Sequence, residues 1–179
     1  MLLGNFIADA VKGKQIDLYA PDVMRGIHLH RLIDSYTDSH EVVKDTKARL
    51  RTRYRKYAPV IADMYYDHFL ASRFSSYSDE TLYTYTNRVY RIINGYYELL
   101  PARVQAFFPH MMQHNWLLGY AQVEGIAQAL GGMSRRSTFV SGMETAGEEL
   151  KQNYDLYARE FDLFFPELLK YVAKVKEEL

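Results

Sequence analysis

Apolar residues recur at intervals of three and four along almost the whole chain, and no stretch alternates apolar and polar residues over the length of a strand. This spacing predicts amphipathic α-helices, because residues three or four apart share one helical face. Proline, glycine and short polar runs divide the chain into about seven or eight helices. We therefore predict an all-α fold, a single-domain helical bundle that covers residues 1–179.

Glycine and proline also predict individual helix ends. Gly131-Gly132 should end a helix that begins near Trp116, so that Ser134-Arg135-Arg136 forms a polar loop. The apolar spacing after Met143 predicts one long last helix, which Pro166 should interrupt or kink.

The composition excludes several classes of protein. The chain has 22 basic and 22 acidic side chains, so no overall charge favours nucleic acid. No apolar run is long enough to cross a membrane, and the first residues do not resemble a signal peptide. The absence of cysteine excludes disulfides and thiolate ligands and is compatible with a cytoplasmic protein, which we expect. The 16 tyrosines and 9 phenylalanines predict an aromatic core.

The segment from Gly26 to Asp38 has the spacing of metal ligands. On a helix, His30, Asp34 and Asp38 lie one turn apart, so an imidazole and two carboxylates could converge on one divalent cation. Alternatively, this stripe is the solvated face of a helix whose apolar side carries Leu29, Leu32, Ile33 and Tyr36.

A second pair of potential ligands is Asp67-His68. His68 falls on the apolar stripe of Ile61, Met64 and Tyr65, so it should be buried and needs a polar partner. A buried histidine with such a partner is often purely structural, and this alternative stays open.

Positive charge concentrates between Lys44 and Lys56, where seven residues are basic. We expect Lys44, Lys47, Arg51 and Arg55 to form an exposed ridge that attracts an acidic protein. The alternative is a solvated face that pairs with acidic residues nearer the C-terminus, namely Glu144, Glu148, Glu149 and Asp155.

Four motifs together resemble the acyl carrier protein phosphodiesterase family. They are Gly4-Asn-Phe-Ile-Ala-Asp-Ala-Val-Lys-Gly13, then Gly26-Ile-His-Leu-His-Arg-Leu-Ile-Asp-Ser-Tyr-Thr-Asp38, then Asp67-His-Phe-Leu70, and Gly132-Met-Ser-Arg-Arg136. The resemblance implies hydrolysis of the phosphodiester that joins 4′-phosphopantetheine to a serine of holo-acyl carrier protein, a strongly acidic partner. It also implies an HD-like helical fold and a Mn²⁺ cofactor, with Mg²⁺ or Fe²⁺ as alternatives.

The matching positions imply roles for individual residues. The metal ligands would be Asp9, His30, Asp34, Asp67 and His68. The catalytic residues would be His28, as general acid or phosphate donor, and Asp38. Phosphate contacts would come from Arg31, Arg135 and Arg136, and carrier contacts from Lys47, Arg51 and Arg55. Structural alternatives remain: Asp9 could cap or pair, Asp38 could cap the next helix, and the arginine pair could be a solvated turn.

The chain departs from the family pattern in two respects. The dyad reads Asp67-His68, the reverse of the usual HD order, so the HD ligand scheme does not transfer directly. Family members usually begin with a further Asn-Phe-Leu-Ala-His-like segment, whose histidine is a potential ligand, and this chain starts at the Leu-Gly-Asn block. Two other functions therefore stay open: an HD-like phosphohydrolase of a free nucleotide or pantetheine compound, and a noncatalytic module that binds carrier protein.

Overall fold

The computed structural model describes residues 1–179 and contains ten α-helices, six 3₁₀ helices and no strand. The α-helices are α1 Leu2–Ile7, α2 Pro21–Ser39, α3 Glu41–Tyr54, α4 Ala58–Ser72, α5 Leu82–Asn94, α6 Ala102–Gln113, α7 Trp116–Gly119, α8 Val123–Arg136, α9 Ala146–Gln152 and α10 Tyr154–Glu178. The 3₁₀ helices are Ala8–Ala10, Gly13–Leu18, Arg55–Tyr57, Phe74–Ser76, Tyr97–Leu99 and Met143–Thr145. The all-α prediction is confirmed. None of the helices combines the length and the apolar character that a bilayer crossing requires.

Contacts between residues divide the chain into two compact units. The first comprises Met1–Asp38, Tyr83–Asn115 and Glu167–Leu179, and the second comprises Ser39–Leu82 and Trp116–Pro166. In the core of the first unit, Phe108 has no exposed surface. The ring of Phe6 packs edge-on against it at a centroid distance of 5.7 Å, and the Tyr90 ring lies at 6.2 Å.

The core of the second unit is largely aromatic, as the composition predicts. The Tyr65 and Tyr157 ring centroids are 4.9 Å apart, and Phe161 stacks on Phe165 at 4.9 Å. The Tyr65 hydroxyl donates a 2.6 Å hydrogen bond to the carbonyl oxygen of Ala146, and burial raises the pKa of this tyrosine. Large aromatic side chains therefore supply much of the apolar surface that this unit buries.

The predicted helix end at Gly131-Gly132 is wrong, because α8 continues through both glycines to Arg136. The two glycines are buried, and Ile126 and Leu130 on the same helix have no exposed surface. A glycine inside a helix costs only about 1 kcal/mol relative to alanine, so the packing of this apolar face outweighs the local preference. Arg135 and Arg136 consequently lie in the last turn of α8 rather than in a loop.

The prediction of one long last helix after Met143 is also wrong. The chain from Met143 onward forms a 3₁₀ turn, α9 and α10, with the break at Asn153, and α10 continues through Pro166. This division and the short α7 account for ten α-helices where seven or eight were expected.

The prediction that Lys47 lies on an exposed ridge is wrong, since only 6% of its surface is accessible. Lys47 is four residues after Val43 and three before Leu50, both of which are buried, so it shares their face of α3. Arg51 and Arg55 are exposed as predicted.

Candidate metal centre

Two glycines allow the turn that carries Asp9 to lie close to His30 and Asp34 on α2. A Cβ atom on Gly4 would lie 1.9 Å from the carbonyl oxygen of Val23, and one on Gly26 would lie 2.9 Å from the backbone nitrogen of Asn5. Helices α1 and α2 therefore cross with their backbones in direct contact, which only glycine permits at these positions. The chain leaves α1 into the 3₁₀ turn Ala8–Ala10, and this turn places Asp9 beside α2 one turn beyond the crossing.

Asp9, His30 and Asp34 form a compact cluster. The Nε2 atom of His30 lies 3.3 Å from Oδ1 of Asp9 and 3.2 Å from Oδ2 of Asp34. The potential ligand atoms of the three residues all lie within 4.8 Å of one another. The side chain of His30 is 23% exposed, whereas those of Asp9 and Asp34 are 88% and 55% exposed. The cluster is therefore open to solvent on its carboxylate side.

The charges of the cluster stabilise each other. Hydrogen bonding to Asp34 and then to Asp9 raises the pKa of His30 to about 9, even though partial burial opposes the protonated form. The hydrogen bond to His30 lowers the pKa of Asp9, and the positive charge of Arg103 lowers it further. Arg103 is a residue of this site that sequence reasoning missed, because it comes from α6 and belongs to none of the four motifs.

Arg31 contacts the segment that carries Asp9. Its Nη2 atom donates a 3.1 Å hydrogen bond to the carbonyl oxygen of Val11, two residues after Asp9. This bond ties the segment that carries Asp9 to the helix that carries His30 and Asp34. Arg31 therefore positions a candidate ligand, and its predicted phosphate contact stays a prediction.

The donor set suits a hard or borderline divalent cation. One imidazole nitrogen and two carboxylate oxygens, without sulfur, are ligands that Mn²⁺, Mg²⁺ and Fe²⁺ accept. In octahedral coordination with bonds of about 2.1 Å, neighbouring ligand atoms are about 3 Å apart. The two distances from His30 Nε2, 3.2 and 3.3 Å, come close to that separation. The ligand types and the spacing of the cluster are therefore compatible with a divalent cation.

Asp67 and His68 lie on α4 in the second unit, outside this cluster. His68 is buried, as predicted, and both ring nitrogens have partners: the carbonyl oxygen of Tyr120 at 2.9 Å and the hydroxyl of Tyr154 at 3.1 Å. Burial lowers the pKa of His68, which favours the neutral ring. This arrangement is that of a satisfied structural histidine, and the assignment of His68 as a ligand stays a prediction.

Asp67 differs from its neighbour in having an accessible side chain. Surrounding protein atoms partly desolvate its carboxyl group, and this desolvation together with the negative charge of Asp63 raises its pKa. The desolvation is only partial, because the side chain remains accessible to water. Its assignment as a ligand likewise stays a prediction.

The remaining predicted residues occupy several elements. His28 is exposed on α2, two residues before His30. Asp38 lies in the last turn of α2, and His40 is the N-cap of α3, so the capping alternative for Asp38 is wrong. Arg135 and Arg136 are exposed at the end of α8. Neither His28 nor Asp38 belongs to the group of potential ligands that Asp9, His30 and Asp34 form. Arg135 and Arg136 lie in the second unit, and their predicted phosphate contacts stay predictions.

The fold and this cluster together define a helical protein with a candidate site for a divalent cation. Comparison with known proteins then gives the family. The profile of the acyl carrier protein phosphodiesterase family matches residues 1–168, and the chain belongs to this family, whose name describes hydrolases of a phosphodiester bond.

Individual relatives agree with this membership. Acyl carrier protein phosphodiesterases of Photorhabdus laumondii and Yersinia enterocolitica are each 30% identical to it, over 94% of this chain and 86% and 88% of their own lengths. The protein of that name from an Escherichia coli O45:K1 strain is 29% identical over 97% of this chain and 90% of its own length. No solved structure matches the chain.

Proposed function

We propose that this protein is a metal-dependent phosphodiesterase that removes 4′-phosphopantetheine from holo-acyl carrier protein. Membership of the family supports the reaction, and the Asp9–His30–Asp34 cluster supports the metal dependence. The observation that carries the proposal is the position of His30 Nε2 between two exposed carboxylates, because these three residues come from two of the motifs that resemble the family.

Charge explains why this cluster would need a cation to act on a phosphodiester. A phosphodiester carries one negative charge, and two exposed carboxylates would repel it. Asp9, His30 and Asp34 would hold the ion, which when bound polarises a phosphoryl oxygen and lowers the pKa of water. With a divalent cation in place, the two carboxylate charges are compensated, and the guanidinium group of Arg103 leaves the site net positive.

The reaction needs proton transfers as well as charge compensation. The oxygen of a water molecule forms a bond to phosphorus, and the bond from phosphorus to the serine oxygen of the carrier breaks. The water gives up a proton, and the leaving serine oxygen takes one. We assign orientation of the attacking water to Asp38, one turn beyond Asp34 on α2. The family resemblance alone supports protonation of the serine oxygen by His28, because His28 and His30 are two residues apart on this helix and project from different sides of it.

A direct test is to incubate the protein with purified holo-acyl carrier protein and Mn²⁺. Mass spectrometry should show conversion of the carrier to its apo form together with release of 4′-phosphopantetheine. The same mixture with a chelator in place of Mn²⁺ should show neither product. Conversion at an equal rate with the chelator would contradict metal dependence.

Parallel assays separate the other functions. If a free nucleotide or a small pantetheine phosphodiester is hydrolysed and holo-carrier is not, the protein is a phosphohydrolase of small substrates. If the carrier binds and no substrate is hydrolysed, the protein is a binding module. Either result would overturn the proposal.

A further inference from the structure

Two segments of the second unit are joined into one surface that neither the candidate metal centre nor the four motifs explain. The first segment is the 3₁₀ turn Arg55–Tyr57 after α3, and the second is the irregular segment 137–142 after α8. The Tyr57 hydroxyl donates a 3.4 Å hydrogen bond to the carbonyl oxygen of Phe139. The Nζ atom of Lys56 lies 3.9 Å from the centroid of the Phe139 ring, which is the distance of a cation–π contact.

A second set of contacts anchors the base of this surface. The buried ring of Tyr54 packs against Gly142, where a Cβ atom would lie 3.5 Å from Cδ1 of that ring. The hydroxyl groups of Tyr54 and Thr145 are 3.3 Å apart. Gly142 has a φ of +73°, a conformation that side chains disfavour. The exposed tip is therefore held by packing and hydrogen bonds on both sides.

The tip of the surface is apolar. The side chain of Phe139 is 63% exposed and Val140 is fully exposed, at 100%. Tyr57 and Lys56 hold Phe139 in place, and the fully exposed Val140 beside it extends the apolar surface. Adjacent exposed apolar residues with a polar rim are a feature of protein interaction sites. We name the group Lys56, Phe139 and Val140 the apolar–basic tip.

The rim around the apolar–basic tip is positively charged. Arg55 precedes Lys56, and Arg135 and Arg136 end the helix that leads into the second segment; all three are exposed, and none forms an ion pair. The three acids that follow segment 137–142 all have partners. Glu148 lies 3.6 Å from Lys151. Ser134 donates a hydrogen bond of 2.5 Å to Glu144, and Glu149 accepts hydrogen bonds from Asn153 and Tyr157.

We propose that the apolar–basic tip and its arginine rim dock the acidic surface of the carrier protein, with Phe139 and Val140 at the centre of the contact. This inference rests on the proposed function for the identity of the partner, and charge complementarity selects an acidic protein over a neutral one. It places the docking surface at the turn after α3 and the end of α8, and it excludes the buried Lys47 from that surface.

The test is a double variant, Lys56→Glu with Phe139→Ser, beside a matched control. The control is Leu169→Ser with Lys170→Glu on α10, which changes a lysine that is also exposed and an apolar residue that is 45% exposed. The KM for holo-carrier should rise about tenfold in the tip variant, because a central apolar contact and a steering charge are both lost. The control should keep the KM of the unaltered protein.

Two further measurements separate docking from catalysis. Apo-carrier protein, which lacks the prosthetic group, should inhibit the unaltered protein and the control but inhibit the tip variant about tenfold more weakly. Hydrolysis of bis(4-nitrophenyl) phosphate, a diester without a protein part, should not distinguish the tip variant from the control.

These measurements distinguish a failure of the docking proposal from a failure of the proposed function. If holo-carrier is not cleaved, the proposed function fails, and the affinity for fluorescently labelled apo-carrier still decides whether the tip docks it. Equal carrier affinity in the tip variant and the control would overturn the docking proposal. Concentration-dependent self-association that only the tip variant loses, without an effect on carrier affinity, would assign the surface to a second copy of this chain and would overturn it too.

Discussion

Two clusters in this protein each combine carboxylate and basic side chains, but they differ in how completely their hydrogen bonds are satisfied. In the second unit, Glu160 is 8% exposed, and Arg49 donates to both of its oxygens at 2.7 and 3.0 Å. In the first unit, one nitrogen of His30 lies 3.2 and 3.3 Å from two largely exposed carboxylates, those of Asp34 and Asp9.

This difference separates a structural role from a candidate functional one. Glu160 also accepts a 2.7 Å hydrogen bond from Thr46, so its acceptor capacity is directed into the protein. Such a network holds helices together and leaves few unused acceptor positions for a ligand. The carboxylates of the Asp9–His30–Asp34 cluster keep free acceptor capacity on the solvent side, which is what a cation site requires.

The largest expected effect is on activity. Asp34→Asn keeps the size of the side chain and removes a ligand charge, so Mn²⁺-dependent release of 4′-phosphopantetheine should fall by at least about 100-fold, since loss of supporting groups alone costs 10- to 100-fold at metal sites. Asp17→Asn, at an exposed acid outside the cluster, is the control and should leave the rate unchanged. Equal rates for the two variants would remove Asp34 from the site.

The second prediction concerns stability. Glu160→Gln should lower the free energy of unfolding by about 2–3 kcal/mol, because Arg49 and Thr46 lose a charged acceptor. This lies below the 3–5 kcal/mol of a fully buried pair, because the side chain of Arg49 is 36% exposed and can be hydrated. Urea denaturation measures the loss. Mn²⁺ affinity should be unchanged, and a weaker affinity would mean that the two clusters are not independent.

Gly26→Ala tests the helix crossing that supports the cluster. Alanine gains about 1 kcal/mol of helix propensity over glycine, whereas a forced backbone shift costs about 1–3 kcal/mol. The Cβ atom would lie 2.0 Å from the backbone oxygen of Met1, so we expect the upper end of that cost and a net loss of about 2 kcal/mol in stability. Mn²⁺ binding should also weaken because Asp9 moves away from His30. Thermal unfolding with and without Mn²⁺ measures both. A more stable variant with unaltered Mn²⁺ affinity would show that the crossing tolerates a methyl group.

Arg31→Lys should have the smallest effect. Lysine keeps the charge but loses the geometry of the guanidinium bond to Val11, so the segment that carries Asp9 should be held less firmly. A hydrogen bond of this kind is worth about 1 kcal/mol, which corresponds to roughly a fivefold weaker Mn²⁺ affinity. Isothermal titration calorimetry measures this affinity. Unaltered Mn²⁺ affinity combined with a higher KM for holo-carrier would instead support the phosphate contact that the sequence predicts.

Sequence reasoning anticipates the parts of this molecule that depend on local spacing. The four-residue interval between His30 and Asp34 is visible in the sequence, and the structure places both in one cluster. Asp9 joins them through the contact of Gly4 with α2, which is a tertiary feature that no spacing within one helix reveals. Arg103 approaches from α6 for the same reason and could not be predicted.

The errors also have physical causes. Lys47 is buried because it lies on the same face of α3 as Val43 and Leu50. The prediction placed it on the surface because lysine is charged. A long aliphatic stem lets such a residue pack on apolar neighbours. Gly131-Gly132 lies inside α8 because burial of the helix outweighs the flexibility of two glycines.

The most direct test of the central claim is a titration of Mn²⁺ followed by electron paramagnetic resonance, in which the signal of the free ion disappears as the protein binds it. We expect the unaltered protein to bind one Mn²⁺ tightly, Asp9→Asn and Asp34→Asn to lose at least about tenfold in affinity, and Glu160→Gln to bind like the unaltered protein. If the unaltered protein binds no Mn²⁺, or if both aspartate variants bind it with unaltered affinity, the Asp9–His30–Asp34 cluster is not the metal centre.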